Sequence, residues 1–147
     1  MLGFSLNSFF TVLALFLFGC ASSEVRIKDV NRPVAAVRHA ILQAMPLGDA
    51  QVGKSKRKIK SKPFLLKGEN FVPVSNSRVR NYAIVEILGD RRPYTIFIEV
   101  IKRQRIDGEF VSVGKDKNIA KRLVKIINYE LSKSLEDANI IDDFRVF

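Results

Sequence analysis

Residues 79–102 read VRNYAIVEILGDRRPYTIFIEVIK, and this stretch decides the fold. Val79 to Leu88 and Tyr94 to Lys102 alternate with a period of two. Both are rich in β-branched and aromatic residues, which suit a pleated, half-buried strand. Gly89-Asp90-Arg91-Arg92-Pro93 between them is turn chemistry, so the pair reads as a β-hairpin. With Asp90 and Arg91 at the tip, Ile87 faces Tyr94 and Val85 faces Ile96. One face then holds Ala83, Val85, Ile87, Tyr94, Ile96, Ile98 and Val100, all of them suited to a core. The other holds Tyr82, Ile84, Glu86, Leu88, Thr95, Phe97, Glu99 and Ile101, a mixture too apolar to be simply wet. A slip of one residue would mix the two sets.

Downstream, Asp107-Gly108 marks a second hairpin turn leading to a short strand at Phe110 to Val113. A helix is expected from Lys115 or Asp116 to Glu136. Its apolar stripe is Ile119, Leu123, Ile126, Ile127, Leu131 and Leu135, with Lys121, Arg122, Lys125 and Lys133 largely off it. The tail from Asn139 to Phe147 alternates enough to form a last strand or a docked extension. Upstream, Asn31 is a fitting N-cap with Pro33 in the first turn. Val34, Val37, Ile41 and Ala44 follow at helical spacing, and Pro46-Leu47-Gly48 stops that helix. Grouped strands with a helix at either end imply an α+β two-layer sandwich: a mainly antiparallel sheet of three to five strands with two helices on one face. Residues 31–147 would form this single domain, preceded by a polar tether over residues 20–30.

The first twenty residues have a different character. Phe9 to Phe18 is an almost unbroken apolar run, and Gly19, Cys20, Ala21, Ser22 and Ser23 then switch to small residues. An apolar core of about 7–15 residues followed by small ones describes a secretory signal peptide, and the run is too short to span a bilayer. Leu17-Phe18-Gly19-Cys20 resembles the lipobox of bacterial lipoproteins. The resemblance covers residues 1–20 and implies cleavage between Gly19 and Cys20, diacylglycerol on the sulfur, and acylation (palmitate or a similar chain) of the new N-terminus. Ala21 after the cysteine resembles the signal for outer-membrane sorting, which would leave the domain on the periplasmic face; attachment to the inner membrane is the alternative. Cys20 is the only cysteine, which suits a lipid anchor better than chemistry that needs a second thiol.

With 25 basic against 15 acidic residues the chain carries a net charge of +10, all of it beyond residue 20. Anionic lipid, lipopolysaccharide, acidic polysaccharide and nucleic acid would each be attracted, and export argues against the last. The densest cluster is Lys54, Lys56, Arg57, Lys58, Lys60 and Lys62, which reads either as a solvated strand or as an anionic-surface contact. It overlaps Gly48-Asp49-Ala50-Gln51-Val52-Gly53-Lys54-Ser55, which fits the pattern G-x-x-x-x-G-K-[ST]. That chemistry needs a strand before the loop and a helix after it, whereas a helix precedes it here and Lys56 to Pro63 is a poor helix.

No catalytic constellation is expected, and neither a cofactor nor a metal. His39 lies alone in the first helix, and Glu86 and Glu99 are not opposite each other in the hairpin. The expectation is a non-enzymatic, membrane-anchored envelope lipoprotein. Its role would be a binding or assembly accessory for an envelope protein complex, contacting a partner through Ile84, Phe97 and Ile101. The alternative is a basic polyanion-binding module built on the lysine cluster. Phe144 and Phe147 in the tail are rival covers for the Ile84–Phe97 patch.

Overall fold

The computed structural model describes residues 25–143, with side chains through residue 133. The signal-peptide and lipobox reading of residues 1–20 lies outside the described residues, as do Phe144 and Phe147. The elements run β1 (Val25–Val30), α1 (Val34–Ala44), a 3-10 turn (Pro46–Gly48), β2 (Ala50–Val52), β3 (Lys58–Ser61), β4 (Phe64–Lys67) and β5 (Asn70–Pro73). Then follow β6 (Val79–Leu88), β7 (Tyr94–Ile106), β8 (Glu109–Lys115) and α2 (Lys117–Asp143).

The fold is α+β, and among the described residues its sheet has eight strands where three to five were expected. The additional strands are short: β2 has three residues, and β3, β4 and β5 have four each. Runs of that length carry at most two inward positions, too few for a period to be read. β1 corrects a second expectation. Residues 25–30 were assigned to a polar tether, yet they pair antiparallel with β7, Val25 against Ile98 and Ile27 against Ile96. The alternation Val25-Arg26-Ile27-Lys28 is a strand pattern whose charged half is exposed.

All strand pairs are antiparallel, and the β6–β7 hairpin is their axis. On one side β6 receives β3 and, further along, β4; on the other side β7 receives β1 along its first half and β8 along its second. Ala83 pairs with Val100, Val85 with Ile98 and Ile87 with Ile96. This register differs from the sequence-derived one by two residues, because the loop tip sits one residue later than Asp90 and Arg91. A shift of two preserves which residues share a face, so the partition into apolar and mixed faces holds while the partners change.

The apolar face is fully buried: Ala83, Val85, Ile87, Ile96, Ile98 and Val100 are at most 2% exposed. α1 brings Val37, Ala40, Ile41 and Ala44 to the same core, and α2 brings Ile119, Ala120, Leu123, Ile127 and Leu131. Each such Val, Ile or Leu contributes about 1.5–3 kcal/mol by leaving water. Ser61 is buried beneath β6, its Oγ accepting the Ala83 N–H (2.9 Å) and donating to the Lys62 carbonyl (2.8 Å).

The first helix starts differently from expectation, and the second starts within one residue of it. α1 has Pro33, not Asn31, at the cap position: its carbonyl accepts the first helical bond from the Val37 N–H at 3.0 Å, and no side chain caps the end. α2 is capped by Asp116, whose Oδ1 accepts the Ile119 N–H at 3.0 Å. α2 also runs on to Asp143, past the expected end at Glu136 and through the start of the expected last strand. From Lys117 to Asp143 the sequence contains neither Gly nor Pro, so nothing stops a helix once it has begun.

Candidate anion-binding face

Among the described residues, neither helix covers the second face of the sheet. Along β6 it presents Arg80, Tyr82, Ile84, Glu86 and Leu88, and along β7 Thr95, Phe97, Glu99, Ile101 and Arg103, since alternate residues share a side. β3 adds Lys58 and Lys60, whose partners are Glu86 and Ile84. β1 adds Arg26 opposite Phe97, and β8 adds Lys115 opposite Ile101.

The cations on this face are arranged on aromatic rings. Tyr82 lies beneath three of them, with Lys60 Nζ 5.0 Å, Arg80 Cζ 5.5 Å and Arg103 Cζ 5.8 Å from the ring centre. Arg80 also stacks at 3.3 Å on Phe110 of β8, and Arg26 sits 5.8 Å over Phe97. An exposed cation on a ring gains about 0.5–1 kcal/mol, enough to hold a flexible side chain in place. Arg80 and Arg103 are direct cross-strand partners. Like charges in that position repel and destabilise a sheet. Among the described residues no carboxylate lies within 4.0 Å of Lys60, Arg80 or Arg103, and the Arg80 Nε is buried with no hydrogen-bond partner. The two carboxylates on the face are already matched, Glu99 to Lys115 at 2.5 Å and Glu86 to Lys58 at 4.0 Å. Among the described residues, the Tyr82 cluster is therefore a site of uncompensated positive charge.

The six residues of the basic cluster are dispersed by this geometry. Lys58 and Lys60 lie on the open face. Lys54 and Lys56 sit in the exposed turn between β2 and β3, where the Lys56 carbonyl accepts from Arg38 Nε at 2.9 Å. Lys62 pairs with Asp49 at 2.5 Å. Arg57 is half-buried: it donates to the Gly89 carbonyl, lies 5.9 Å over Tyr94, and its own carbonyl accepts the Ile87 N–H. Its task is to pin the β6–β7 turn, where Gly89 has φ +102°. The G-x-x-x-x-G-K-[ST] match runs from the 3-10 turn through β2 into the β2–β3 turn, and the next element is β3, not a helix.

Ile84, Phe97 and Ile101 are half-buried on the open face, each beside a charge: Ile84 pairs with Glu99, Phe97 with Glu86, and Ile101 with Lys115. His39 is exposed on α1, and among the described residues no three His, Cys, Asp or Glu side chains are grouped as metal ligands. Glu86 and Glu99 lie on one face but face Phe97 and Ile84, each beside its own lysine. At the far end of the sheet a cleft of about 510 Å³ is lined by Asn76, Arg78, Arg105, Asp107 and Gly108.

Arg80, Tyr82, Arg103 and Phe110 were not singled out from sequence. The alternation that placed Tyr82 on the mixed face continues through Arg103 and Arg105. In the sequence-derived register, however, Arg80 falls opposite Ile101, so the clash of two arginines is invisible.

Together these features define a small α+β domain with one helix-covered sheet face and one cationic face. No known protein family, characterised protein or solved structure matches the chain.

Proposed function

We propose that this chain is a non-enzymatic, lipid-anchored envelope protein whose open sheet face binds a phosphate-bearing polyanion such as lipopolysaccharide. The observation that carries the reading is the Tyr82 cluster: Lys60, Arg80 and Arg103 converge on one ring with no carboxylate partner among the described residues. Folding tolerates such a cluster at a cost that an anion offsets. Each basic residue near an anionic surface contributes about 1 kcal/mol, so the three together supply about 3 kcal/mol, roughly a 150-fold preference, only when engaged at once. The rings of Tyr82, Phe97 and Phe110 serve as seats for cations. Single-stranded nucleic acid relies on ring faces to stack its bases, so it fits less well. Anchoring follows from the Gly19-Cys20 lipobox, and three acyl chains give stable attachment where one is marginal.

A protein partner, as in an envelope assembly accessory, is the second reading. Its specific support is the half-buried row Ile84, Phe97 and Ile101, which offers apolar contact between the charges.

The test uses the full chain in neutral detergent, titrated with lipopolysaccharide at low and high salt. Affinity should fall steeply with salt and collapse in a Lys60/Arg80/Arg103→Gln variant, because counterion release drives phosphate binding. Binding that ignores both salt and the triple variant, but is lost in a folded Phe97→Asp chain, would transfer the proposal to the protein partner. Attachment is checked separately. Cys20→Ala should abolish incorporation of fatty-acid label and leave an uncleaved precursor, and unchanged labelling sinks the anchor.

A further inference from the structure

We propose that the end of the β7–β8 hairpin beyond Lys102 is a second membrane contact, seated in the headgroup region of a bilayer containing anionic phospholipid. The inference rests on the lipid-anchor reading for its setting, but on separate residues for its argument. α2 begins immediately after β8, with the Asp116 N–H bonded to the Val100 carbonyl (2.8 Å), so the helical layer starts at the level of Val100. Further along, three large apolar side chains lie in the open: Ile106 is 47% exposed, and Val111 and Val113 are 45% exposed each. Ile106 and Val111 fall on the side continuous with buried Val100, because Gln104 pairs with Val111 and even-numbered positions of β7 share that side. Val113 is the extra residue of a bulge between the pairs Lys102–Gly114 and Arg103–Ser112.

Lys102, Arg78 and Arg105 flank this apolar end, against Asp107 and Glu109 at the turn, leaving it net positive. The turn itself is tight: Asp107 and Gly108 both have positive φ (50° and 89°), and the Arg105 Nε donates to the Gly108 carbonyl at 3.2 Å. A rigid tip with apolar side chains and a basic collar matches the boundary between acyl chains and phosphates, where long basic side chains lie along apolar surface with their heads in water. The direction of β1 agrees. Val30 pairs with Tyr94 and Val25 with Ile98, so the chain enters β1 from the end of the sheet that carries this tip. A lipid on Cys20 would therefore hold that end toward the bilayer. The sheet would stand upright on the membrane, with the Tyr82 face turned sideways to meet its ligand.

The test reconstitutes the full chain into phosphatidylcholine vesicles with or without phosphatidylglycerol. An environment-sensitive fluorophore is placed on Val111→Cys, or on Leu88→Cys, which is 38% exposed beside the β6–β7 turn at the opposite end of β7. Both are made with native Cys20, whose sulfur is blocked when acylated, and in a Cys20→Ala background. The probe at 111 should shift to the blue and be quenched by spin-labelled lipid on phosphatidylglycerol vesicles, while the probe at 88 does neither. Ile106→Asp should abolish the shift at 111 without altering the far-ultraviolet spectrum. Equal behaviour of the two probes on phosphatidylglycerol overturns the proposal. A shift at 111 in a chain whose mass shows no acylation keeps the tip contact and sinks the anchor; acylation without the shift does the reverse.

Discussion

Adjacent residues of β6 and β7 face two different environments, and their cross-strand partners show it. On the covered side the pairs are Ala83–Val100, Val85–Ile98 and Ile87–Ile96, apolar against apolar and sealed from water. On the open side they are Arg80–Arg103, Tyr82–Ile101, Ile84–Glu99 and Glu86–Phe97, and none is fully buried. Both sets belong to one antiparallel ladder. The difference teaches that, on the proposed reading, stability and recognition are divided by side, and not by segment, in this molecule. A change on one side should leave the property of the other nearly intact.

The most severe way to break that division is to hollow the covered side. Ile98→Ala removes a side chain with no exposure and should cost about 2–5 kcal/mol in urea unfolding. A loss below about 1 kcal/mol would mean that the covered side does not carry the fold. Next comes Ser61→Ala, which leaves the buried Ala83 N–H without its acceptor and should cost about 1–3 kcal/mol. Its counterpart Ser61→Thr keeps the oxygen and should recover part of that loss. Asp116→Ala removes the cap of α2 and should cost about 1 kcal/mol, with Asp116→Asn nearly silent. The smallest effect on stability should come from the open side. Lys60/Arg80/Arg103→Gln should unfold within about 0.5 kcal/mol of the parent, because the relieved repulsion offsets the lost ring contacts. The same variant should lose its salt-dependent ligand. A large destabilisation there would show that the cations support the fold after all, and the comparison would fail.

How much of this was legible in the sequence differs between the two sides in the same way. The covered side was legible because burial selects one residue class: Val85, Ile87, Ile96 and Ile98 announce themselves by period. The α1 and α2 stripes were read on the same basis. The open side needed the register, and the loop Gly89 to Pro93 has enough turn-forming residues to place its tip at more than one point. A two-residue shift cannot change sides, so the faces survived while Arg80 and Arg103 were not seen as neighbours. β1 was missed because Arg26, Lys28 and Asp29 make its composition look like a tether, although its alternation is that of an edge strand. The lysine cluster misled in the opposite sense. Six basic residues close in sequence look like one patch, but β3 alternates and the turn before it bends. Only Lys58 and Lys60 reach the open face, while Arg57 is committed to Gly89.

The pairing of the first described strand with β7 has a consequence for when the molecule can fold. Among the described residues β1 pairs with β7 alone, and Val25 waits for Ile98, far downstream in the chain. A polypeptide threaded from its N-terminus through a translocation channel would thus present β1 and α1 long before their docking surface exists. The β6–β7 hairpin, whose ends are close in sequence, closes on a timescale of about 1–10 μs once it emerges, and everything earlier collapses onto it. For a chain that is exported, as proposed, such an order would keep its early part threadable during transit. Pulse-labelled hydrogen exchange during refolding should find the β6 and β7 amides protected before those of β1.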